Sequence, residues 1–429
     1  MKVVWICSVS NQELRTHLNL KLPWWHKLIR FITHRNKGDG ASDYAIWNTN
    51  ALREFNSIED VDLHVIFTHA NMKNRCQSFK EANIRYYAVN ASDTSFRSFM
   101  RVHFGNGFGY YKKTWQVIAN LVKDIQPEII HLMGAENPPY SLSILQLPKN
   151  IPIITQLQTL LCDPNADRYL NETYKHQIAC ERQVLLRSDY IGSRSTLFPK
   201  IVREQIRKDA VFVNTRLTVA EKTDLSYVDK QFDFVYWANF IAKSIDLAIE
   251  AFGIASKKHP GLTLDIIGGV SDSEIQQIDS RLKELGVRDY VFFEGKLPTH
   301  ENVLVQIKKS RFALLPLKTD IVSGTIREAM WNGLPVVTTI TQGTPLLNIE
   351  RDSVLLSEIG DHEAMANNML RLVDNPALAK HIRTNAAITV EDRYGNNRQR
   401  ILEWIETYRA CIANFHYNTP LPEHLLNIN

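Results

Sequence analysis

The segment 320–335 has residue types that suit phosphate and sugar binding. Ser323–Thr325 form a short loop before a predicted helix over 325–332, and free backbone N–H groups at the positive end of a helix dipole bind phosphate. Asp320 could accept hydrogen bonds from sugar hydroxyls, and Glu328, one turn into the helix, could hold a ribose diol. Alternatively, Asp320 is a solvated loop carboxylate. Glu328 could likewise form a capping box with the preceding threonine and only satisfy the helix N-terminus.

A lysine precedes a second predicted helix. Lys243 stands directly before the helix predicted over 244–257. A cation at a helix N-terminus opposes the dipole by roughly 0.3–1 kcal/mol, so it is a poor structural choice at that position. It is a good choice if a diphosphate lies between the lysine and the helix end. The alternative is an exposed lysine whose ammonium group extends into water.

Strand-like and helix-like segments alternate along the chain, which predicts parallel sheets covered by helices on both faces. The predicted strands are short apolar runs with β-branched residues, bounded by turn formers. In the first half we predict strands over 3–8, 62–68, 84–89, 129–133 and 153–157, and helices over 44–55, 113–125 and 172–187. In the second half we predict strands over 232–236, 262–267, 290–293, 312–317, 336–339 and 354–357, and helices over 244–257, 272–285, 301–309 and 325–332.

A polar, charged stretch separates the two halves. We predict an α/β protein with two Rossmann-like, doubly wound parallel-sheet domains, 1–217 and 232–395, joined by a linker over 218–231. After residue 361 the pattern is helical only, with a break at 374–376, and we expect 396–429 to form a helix and tail that pack back on the first domain. Ligands of such sheets bind at the carboxyl ends of the strands, so we expect the two domains to face a cleft.

Composition excludes several classes of protein. The chain of 429 residues is 44% hydrophobic and 22% charged, as in an ordinary soluble protein. No run reaches the roughly 18 apolar residues that span a bilayer, and the N-terminus lacks the pattern of a cleavable signal peptide. The five cysteines are scattered and have no CxxC spacing, which argues against a disulfide framework or a structural zinc site. We therefore expect a cytoplasmic protein.

Two stretches, 20–37 and 96–115, combine basic and aromatic residues. Such a mixture suits the surface of an anionic membrane, where aromatic rings lie at the headgroup level and cations gain attraction. The alternative is a partly packed loop followed by a core helix with a solvated basic side. Nothing in either stretch resembles a nucleic-acid-binding module, so we expect no nucleic-acid partner.

Several motifs of the second half resemble the glycosyl transferases group 1 family, which are retaining enzymes with two Rossmann-like domains, the GT-B architecture. The family signature is an acidic residue, seven intervening residues, Glu-Ala-Met, Gly-x-Pro and a strand. This chain has Asp320, Glu328-Ala329-Met330 and Gly333-Leu334-Pro335-Val336-Val337. The segments 243–252, 264–269, 291–295 and 343–356 are also similar to the family and occur in the same order.

The resemblance implies a nucleotide-sugar donor, for which we expect a UDP-sugar, and no other cofactor. The expected catalytic residues are Asp320, Glu328 and Lys243. The expected donor-binding residues are Lys243, Ser323, Gly324, Thr325, Glu328, Gly295, Lys296, Leu297 and Asn239. The first half resembles the family more loosely, and its segment 129–137 is similar to bacterial surface-polysaccharide members. The expected acceptor-binding residues are Gly40, Glu136, Asn137, Gln158 and His131, although His131 could instead be a packed strand-end histidine.

The chain departs from the family pattern at several positions. Trp237 and Ala238 occupy places where the family usually has Gly and Arg, and the glycine after Lys243 is replaced by Ser244. Gln158 stands where the family usually has His, and Asp320 replaces Glu. One phosphate contact is therefore missing, and either Arg327 or Asn239 would have to replace it.

The resemblance implies retaining transfer, and we expect it to proceed without a metal ion. The Asp60-Val61-Asp62 motif lies at the amino end of a predicted strand, opposite to the ligand-binding end. We expect transfer to a lipid-linked oligosaccharide in capsule, O-antigen or exopolysaccharide synthesis, on the inner face of the plasma membrane. The alternatives are a nucleotide-sugar epimerase, a transferase with a soluble acceptor, or a non-catalytic sugar-nucleotide-binding protein.

Overall fold

The computed structural model describes residues 1–20, 43–69, 72–91, 111–163, 172–193, 195, 197–218, 228–240, 244–269, 272–318, 323–341 and 343–427. These residues divide into two compact units, 1–218 with 397–429, and 219–396. Lys243, Asp320 and Gly40 lie outside the described residues, as do most of the two basic and aromatic stretches. Among the helices that the structure describes, none has the length and apolar character needed to cross a bilayer.

The first unit is built on an eight-stranded sheet. Its strands are β1 (Lys2–Cys7), β2 (Asp62–His69), β3 (Cys76–Glu81), β4 (Ile84–Asn90), β5 (Ile129–Met133), β6 (Ile153–Gln156), β7 (Tyr190–Gly192) and β8 (Phe212–Val213). Their order is β3-β4-β2-β1-β5-β6-β7-β8. All neighbours are parallel except β3, which pairs antiparallel with β4 at one edge. The order reverses between β1 and β5, where Trp5 pairs with Val65 on one side and His131 on the other.

The helices of the first unit cover this sheet. They are α1 (Gln12–Thr16), α2 (Ile46–Phe55), α3 (Lys112–Ile125), α4 (Glu172–Arg187), α5 (Phe198–Gln205) and, from the end of the chain, α12 (Asn397–Tyr417). The strands β1, β2 and β5 are buried on both faces, as expected for parallel strands between helical layers. Trp404 and Tyr408 of α12 pack with Trp5 and Phe55 in one apolar cluster.

The second unit contains a six-stranded, fully parallel sheet. Its strands are β9 (Phe232–Phe240), β10 (Leu264–Gly269), β11 (Val291–Gly295), β12 (Ser310–Leu314), β13 (Val336–Thr339) and β14 (Leu355–Ser357). Their order is β11-β10-β9-β12-β13-β14. This is the strand order of a Rossmann fold, and it reverses between β9 and β12. The prediction of two doubly wound α/β domains is thus confirmed.

Helices connect most strands of the second unit, and two helices follow its last strand. They are α6 (Ile245–Lys258), α7 (Asp272–Leu285), α8 (His300–Ile307), α9 (Gly324–Trp331), α10 (His362–Asp374) and α11 (Pro376–Tyr394). The predicted break at 374–376 separates α10 from α11. Asn375 causes it, because its side chain caps α11 by accepting a hydrogen bond from Leu378 N at 3.0 Å, and Pro376 follows at the first helical position.

Most predicted elements agree with the structure to within a few residues, and five short ones were missed. The missed elements are β3, β7, β8, α1 and α5. β3 is a half-exposed edge strand with few apolar residues, and β7 and β8 contain only three and two residues. Segments this short carry too little periodicity to be recognised from sequence.

Candidate functional site

The connections that follow β9 and β12 meet the criterion for a ligand site in a doubly wound sheet. Ligands bind at the carboxyl ends of the strands, where the strand order reverses. The connection after β9 leads to Ser244, the residue before α6, and the connection after β12 leads to Ser323, the residue before α9. Lys243 and Asp320 belong to these two connections but lie outside the described residues.

Ser323 is the N-cap of α9. Its backbone is extended, with φ −65° and ψ 154°, and its hydroxyl accepts a hydrogen bond from Ile326 N at 3.3 Å. The Thr325 hydroxyl lies 2.6 Å from the Ser323 hydroxyl. Because Ser323 caps the helix, the capping box of Thr325 with Glu328 is wrong.

Glu328 instead contacts two other elements of the second unit. Its Oε2 accepts a hydrogen bond from the indole N–H of Trp237, in the second half of β9, over 3.3 Å. Its Oε1 lies 3.4 Å from Nε2 of His300, the first residue of α8. The side chain of Glu328 is 12% exposed and that of His300 is 19% exposed. The carboxylate is therefore largely buried and contacted on both oxygens.

Lys318 is a cation that sequence reasoning missed. It follows β12, and its ammonium group lies 2.8 Å from Oδ2 of Asp246, in the first turn of α6. The preceding residue, Leu317, is bonded to Thr339 of β13. The Thr339 hydroxyl accepts a hydrogen bond from Leu317 N at 2.8 Å and donates one to Leu317 O at 2.5 Å. The sequence did offer one signal for Lys318, since it lies between the predicted strand over 312–317 and Asp320. Its partner Asp246 is 72 positions away, so only the fold reveals the pairing.

Arg327 was one of two residues expected to replace the missing arginine at Ala238. The guanidinium of Arg327 lies over the ring of Tyr394, 5.4 Å from its centroid. Asn239, the other, belongs to β9, and its side chain lies outside the described residues. Ala238 itself packs against the apolar cluster of the second unit.

The loop after β11 contains three expected donor-binding residues. Gly295 has φ +69°, a conformation that favours glycine, and a Cβ added there would meet nothing within 4 Å. Lys296 is exposed, and Leu297 packs against the apolar cluster that includes Trp237. Thr299 then caps α8 by accepting from Asn302 N at 3.1 Å. The loop thus leads directly to His300.

In the first unit, the turn after β5 is held by its own hydrogen bonds. Gly134 has φ +98°, and a Cβ there would lie 2.8 Å from the side-chain nitrogen of Asn137. The Asn137 amide donates to Glu136 Oε1 at 3.0 Å, and Ser141 donates to Gly134 O at 2.8 Å. Glu136 and Asn137, both expected to bind the acceptor, are partly exposed at the point where the strand order of this sheet reverses.

The structure places His131 in the core of the first unit, as in the alternative of a packed strand-end histidine. Its side chain is fully buried in β5, and its Nδ1 lies 2.6 Å from the hydroxyl of Tyr408. The same hydroxyl accepts from the indole N–H of Trp5 at 3.1 Å. Burial lowers the pKa of His131 to about 3, so the ring is neutral. His131 is a packed core histidine.

Glu181 of α4 holds the connection after β6, which contains Gln158. Its two carboxylate oxygens accept hydrogen bonds from Leu161 N at 2.8 Å and Cys162 N at 2.7 Å. The side chain is fully buried, and this burial raises its pKa to about 7. The two backbone hydrogen bonds favour the ionised form and lower the pKa, but their effect is smaller than that of burial. Gln158 remains partly exposed at the carboxyl end of β6.

Both carboxylates of the Asp60-Val61-Asp62 motif form ion pairs within the first unit. Asp60 pairs with Arg409, and Asp62 pairs with Arg85 at 2.9 Å. The Arg85 and His64 side chains, which also contact Asp62, hold the pKa of Asp62 below its usual range. The motif lies at the amino end of β2, as the sequence indicated.

Comparisons with known proteins agree with this geometry. A model of the family described as glycosyl transferases group 1 matches residues 221–389. Among solved structures, a sucrose-phosphate synthase from Thermosynechococcus elongatus is 16% identical, with a TM-score of 0.67 over 96% of this chain and 100% of that chain. The lipopolysaccharide outer core galactosyltransferase WaaB is 15% identical, with a TM-score of 0.54 over 95% of this chain and 99% of that chain.

Anabaena HepE in complex with UDP is a third similar structure, 12% identical, with a TM-score of 0.56 over 95% of this chain and 100% of that chain. A comparison with curated protein sequences finds no match. At these identities the solved structures establish the fold, and the family match covers the second unit. Residues 221–389 of the second unit thus match the glycosyl transferases group 1 family, and the chain has the GT-B fold of these solved structures, which together support a glycosyltransferase.

Proposed function

We propose that the chain transfers a sugar from a nucleotide-sugar donor to a hydroxyl group of a glycan. The observation that carries this proposal is the location of Ser323, Glu328 and Lys318 on elements that meet where the strand order of the group 1 domain reverses. Doubly wound sheets bind nucleotides at such points. We assign Asp320 to the hydroxyls of the transferred sugar and Lys243 to the diphosphate.

We propose UDP as the nucleotide part of the donor. Two structurally similar proteins, Anabaena HepE and the pneumococcal O-GlcNAc transferase GtfA, were solved with UDP. In this chain, Glu328 would accept hydrogen bonds from the ribose hydroxyls. The backbone from Gly295 to Leu297 would contact the base, and a Cβ added at Gly295 would meet nothing within 4 Å.

Departure of the nucleoside diphosphate develops negative charge on its β-phosphate while the sugar becomes oxocarbenium-like. Backbone N–H groups at the start of α9 and the ammonium groups of Lys243 and Lys318 would stabilise that charge without a metal ion. Lys318 is held by Asp246, so its charge is already oriented before the donor binds. We propose that an acceptor hydroxyl then attacks with retention of configuration.

We propose that the acceptor is a lipid-linked glycan used in surface-polysaccharide synthesis. Gly40, Glu136, Asn137 and Gln158 of the first unit are the candidate acceptor residues, and the last three lie at carboxyl ends of its strands. Support for a lipid-linked acceptor comes from the similarity to WaaB, a lipopolysaccharide outer core galactosyltransferase.

The basic and aromatic stretches 20–37 and 96–115 would bring the cytoplasmic enzyme to an anionic membrane. Flotation with vesicles of phosphatidylglycerol and phosphatidylethanolamine tests this proposal. We expect the wild-type chain to float, and a variant with Trp24→Ala and Trp25→Ala to float several-fold less. Flotation of the double variant at the wild-type level, or no flotation of the wild type, would refute the membrane contact and favour a soluble acceptor.

A donor panel tests the transfer itself. The protein is incubated with UDP-, GDP- and dTDP-sugars and an extract of lipid-linked acceptors, and products are identified by mass spectrometry. We expect an acceptor one sugar heavier from a UDP-sugar, and strongly reduced turnover by Glu328→Gln with an unchanged melting temperature. Conversion of the donor without transfer would indicate an epimerase. Nucleotide binding without any turnover would indicate a non-catalytic binding protein.

A further inference from the structure

We propose that Trp237 and His300 are positioning residues, which hold the Glu328 carboxylate in the orientation that binds the donor ribose. This inference rests on the proposed function and assigns roles to two residues outside the family signature. Trp237 stands at a position where the family usually has glycine. In this chain the larger side chain brings an indole N–H to the carboxylate.

The contacts come from two different elements and use one carboxylate oxygen each. Trp237 lies in β9 and donates to Oε2 of Glu328 over 3.3 Å, whereas His300 begins α8 and places Nε2 3.4 Å from Oε1. A carboxylate only accepts hydrogen bonds, so a hydrogen bond at this contact requires the proton of the imidazole to be on Nε2. The two contacts therefore fix both the position and the plane of the carboxyl group.

Such fixation leaves the carboxylate able to bind a diol. An ionised carboxyl group has about four acceptor positions, of which Trp237 uses one and the imidazole of His300 borders another. The side chain of Glu328 is still 12% exposed, so the remaining positions are reachable. An unrestrained glutamate loses up to about 2 kcal/mol of rotamer entropy when it becomes ordered. Ordering Glu328 before the donor arrives removes much of that cost from ribose binding.

His300 also connects the ribose contact to the proposed base contact. It follows Gly295–Leu297 by three residues, and Thr299 fixes the start of its helix. Displacement of His300 would thus move the Glu328 carboxylate and the loop proposed to contact the base. A purely structural buried pair would have no reason to affect recognition of the ribose hydroxyls.

Calorimetric titration with UDP and 2′,3′-dideoxy-UDP tests the proposal. For the wild type we expect UDP to bind at least about tenfold more tightly than the dideoxy analogue, because a hydrogen bond to a charged group contributes about 1.5–3 kcal/mol. Trp237→Phe and His300→Leu should each lower this preference several-fold, mainly because UDP itself binds more weakly. His300→Gln, which retains a donor at the position of Nε2, should restore most of the preference.

Trp331→Phe is the matched control, since Trp331 packs against the same apolar cluster as Trp237. It should leave the preference for UDP unchanged. In a chain that already has Glu328→Gln, the Trp237→Phe substitution should change the preference for UDP little further, because both substitutions disrupt the same interaction. Wild-type preference in Trp237→Phe and His300→Leu, or equal weakening of both ligands, would overturn the proposal. Failure of the wild type to bind UDP or GDP would instead refute the proposed function.

Discussion

Replacement of the buried Glu181 by glutamine should make the stability of the first unit less dependent on pH. Glu181 has no exposed surface and receives two backbone hydrogen bonds, yet burial raises its pKa from 4.5 to about 7. Below about pH 4.5 the residue is protonated in both the folded and the unfolded state. Between about pH 4.5 and 7 only the unfolded state loses the proton, so the folded state becomes less stable as pH rises.

A pKa of 4.5 in the unfolded state and of about 7 in the folded state means that ionisation of Glu181 lowers the free energy of unfolding by about 3 kcal/mol. Above about pH 7 both states are ionised and this contribution no longer changes. Glutamine resembles the protonated acid in shape and leaves one backbone N–H facing an amide NH2. Between about pH 5 and about pH 8, Glu181→Gln should therefore gain about 2–3 kcal/mol of stability relative to the wild type, in addition to a pH-independent cost of about 1–3 kcal/mol for the lost backbone hydrogen bond.

Urea unfolding followed by circular dichroism at these two pH values measures the difference. Glu204→Gln is the matched control, because Glu204 lies exposed on α5 of the same unit. Its free energy of unfolding should follow the wild type at both pH values. If Glu181→Gln also kept the wild-type pH dependence, the raised pKa of Glu181 would be refuted.

Two further predictions concern single side chains with matched controls. Lys318→Ala should raise the KM for the donor about tenfold or more, because a charge-assisted contact contributes about 1.5–3 kcal/mol. Lys258→Ala, which breaks a similar 2.8 Å pair with Glu363 at the other end of α6, should leave the KM unchanged, and equal effects would contradict a phosphate role. Tyr408→Phe should lower the free energy of unfolding by about 1–3 kcal/mol, because the buried indole N–H of Trp5 loses its acceptor. Tyr417→Phe, 78% exposed on the same helix, should have no measurable effect in thermal or urea unfolding, and a loss equal to that of Tyr408→Phe would contradict this account.

The fold could be predicted from the sequence because its strands are apolar and its helices amphipathic over many residues. β5 and β13 were predicted with their observed bounds, and both are fully buried. The edge strand β3 was missed for the opposite reason, since it lacks an apolar run. Local pattern thus identifies elements that pack on both faces and loses those at the margin of a sheet.

The site could be predicted only where its chemistry is local in sequence. The loop before α9 was recognised from adjacent residues, although its N-cap is Ser323 and not Thr325. The partners of Glu328 are 91 and 28 positions away, so no spacing rule connects them. His131 shows the same limit, because its burial depends on Tyr408, 277 positions later.

The departure at Trp237 acquires a physical reason once these distant contacts are known. A glycine at that position would leave Oε2 of Glu328 without the indole donor that the structure provides. The carboxylate would then be held from one side only, by His300. The missing arginine at Ala238 has a parallel, since Lys318 brings a cation to the same end of the sheet from the neighbouring strand. The first departure thus adds a donor to Glu328, and the second coincides with a cation from the neighbouring strand, which is why we propose that this chain has an active donor site.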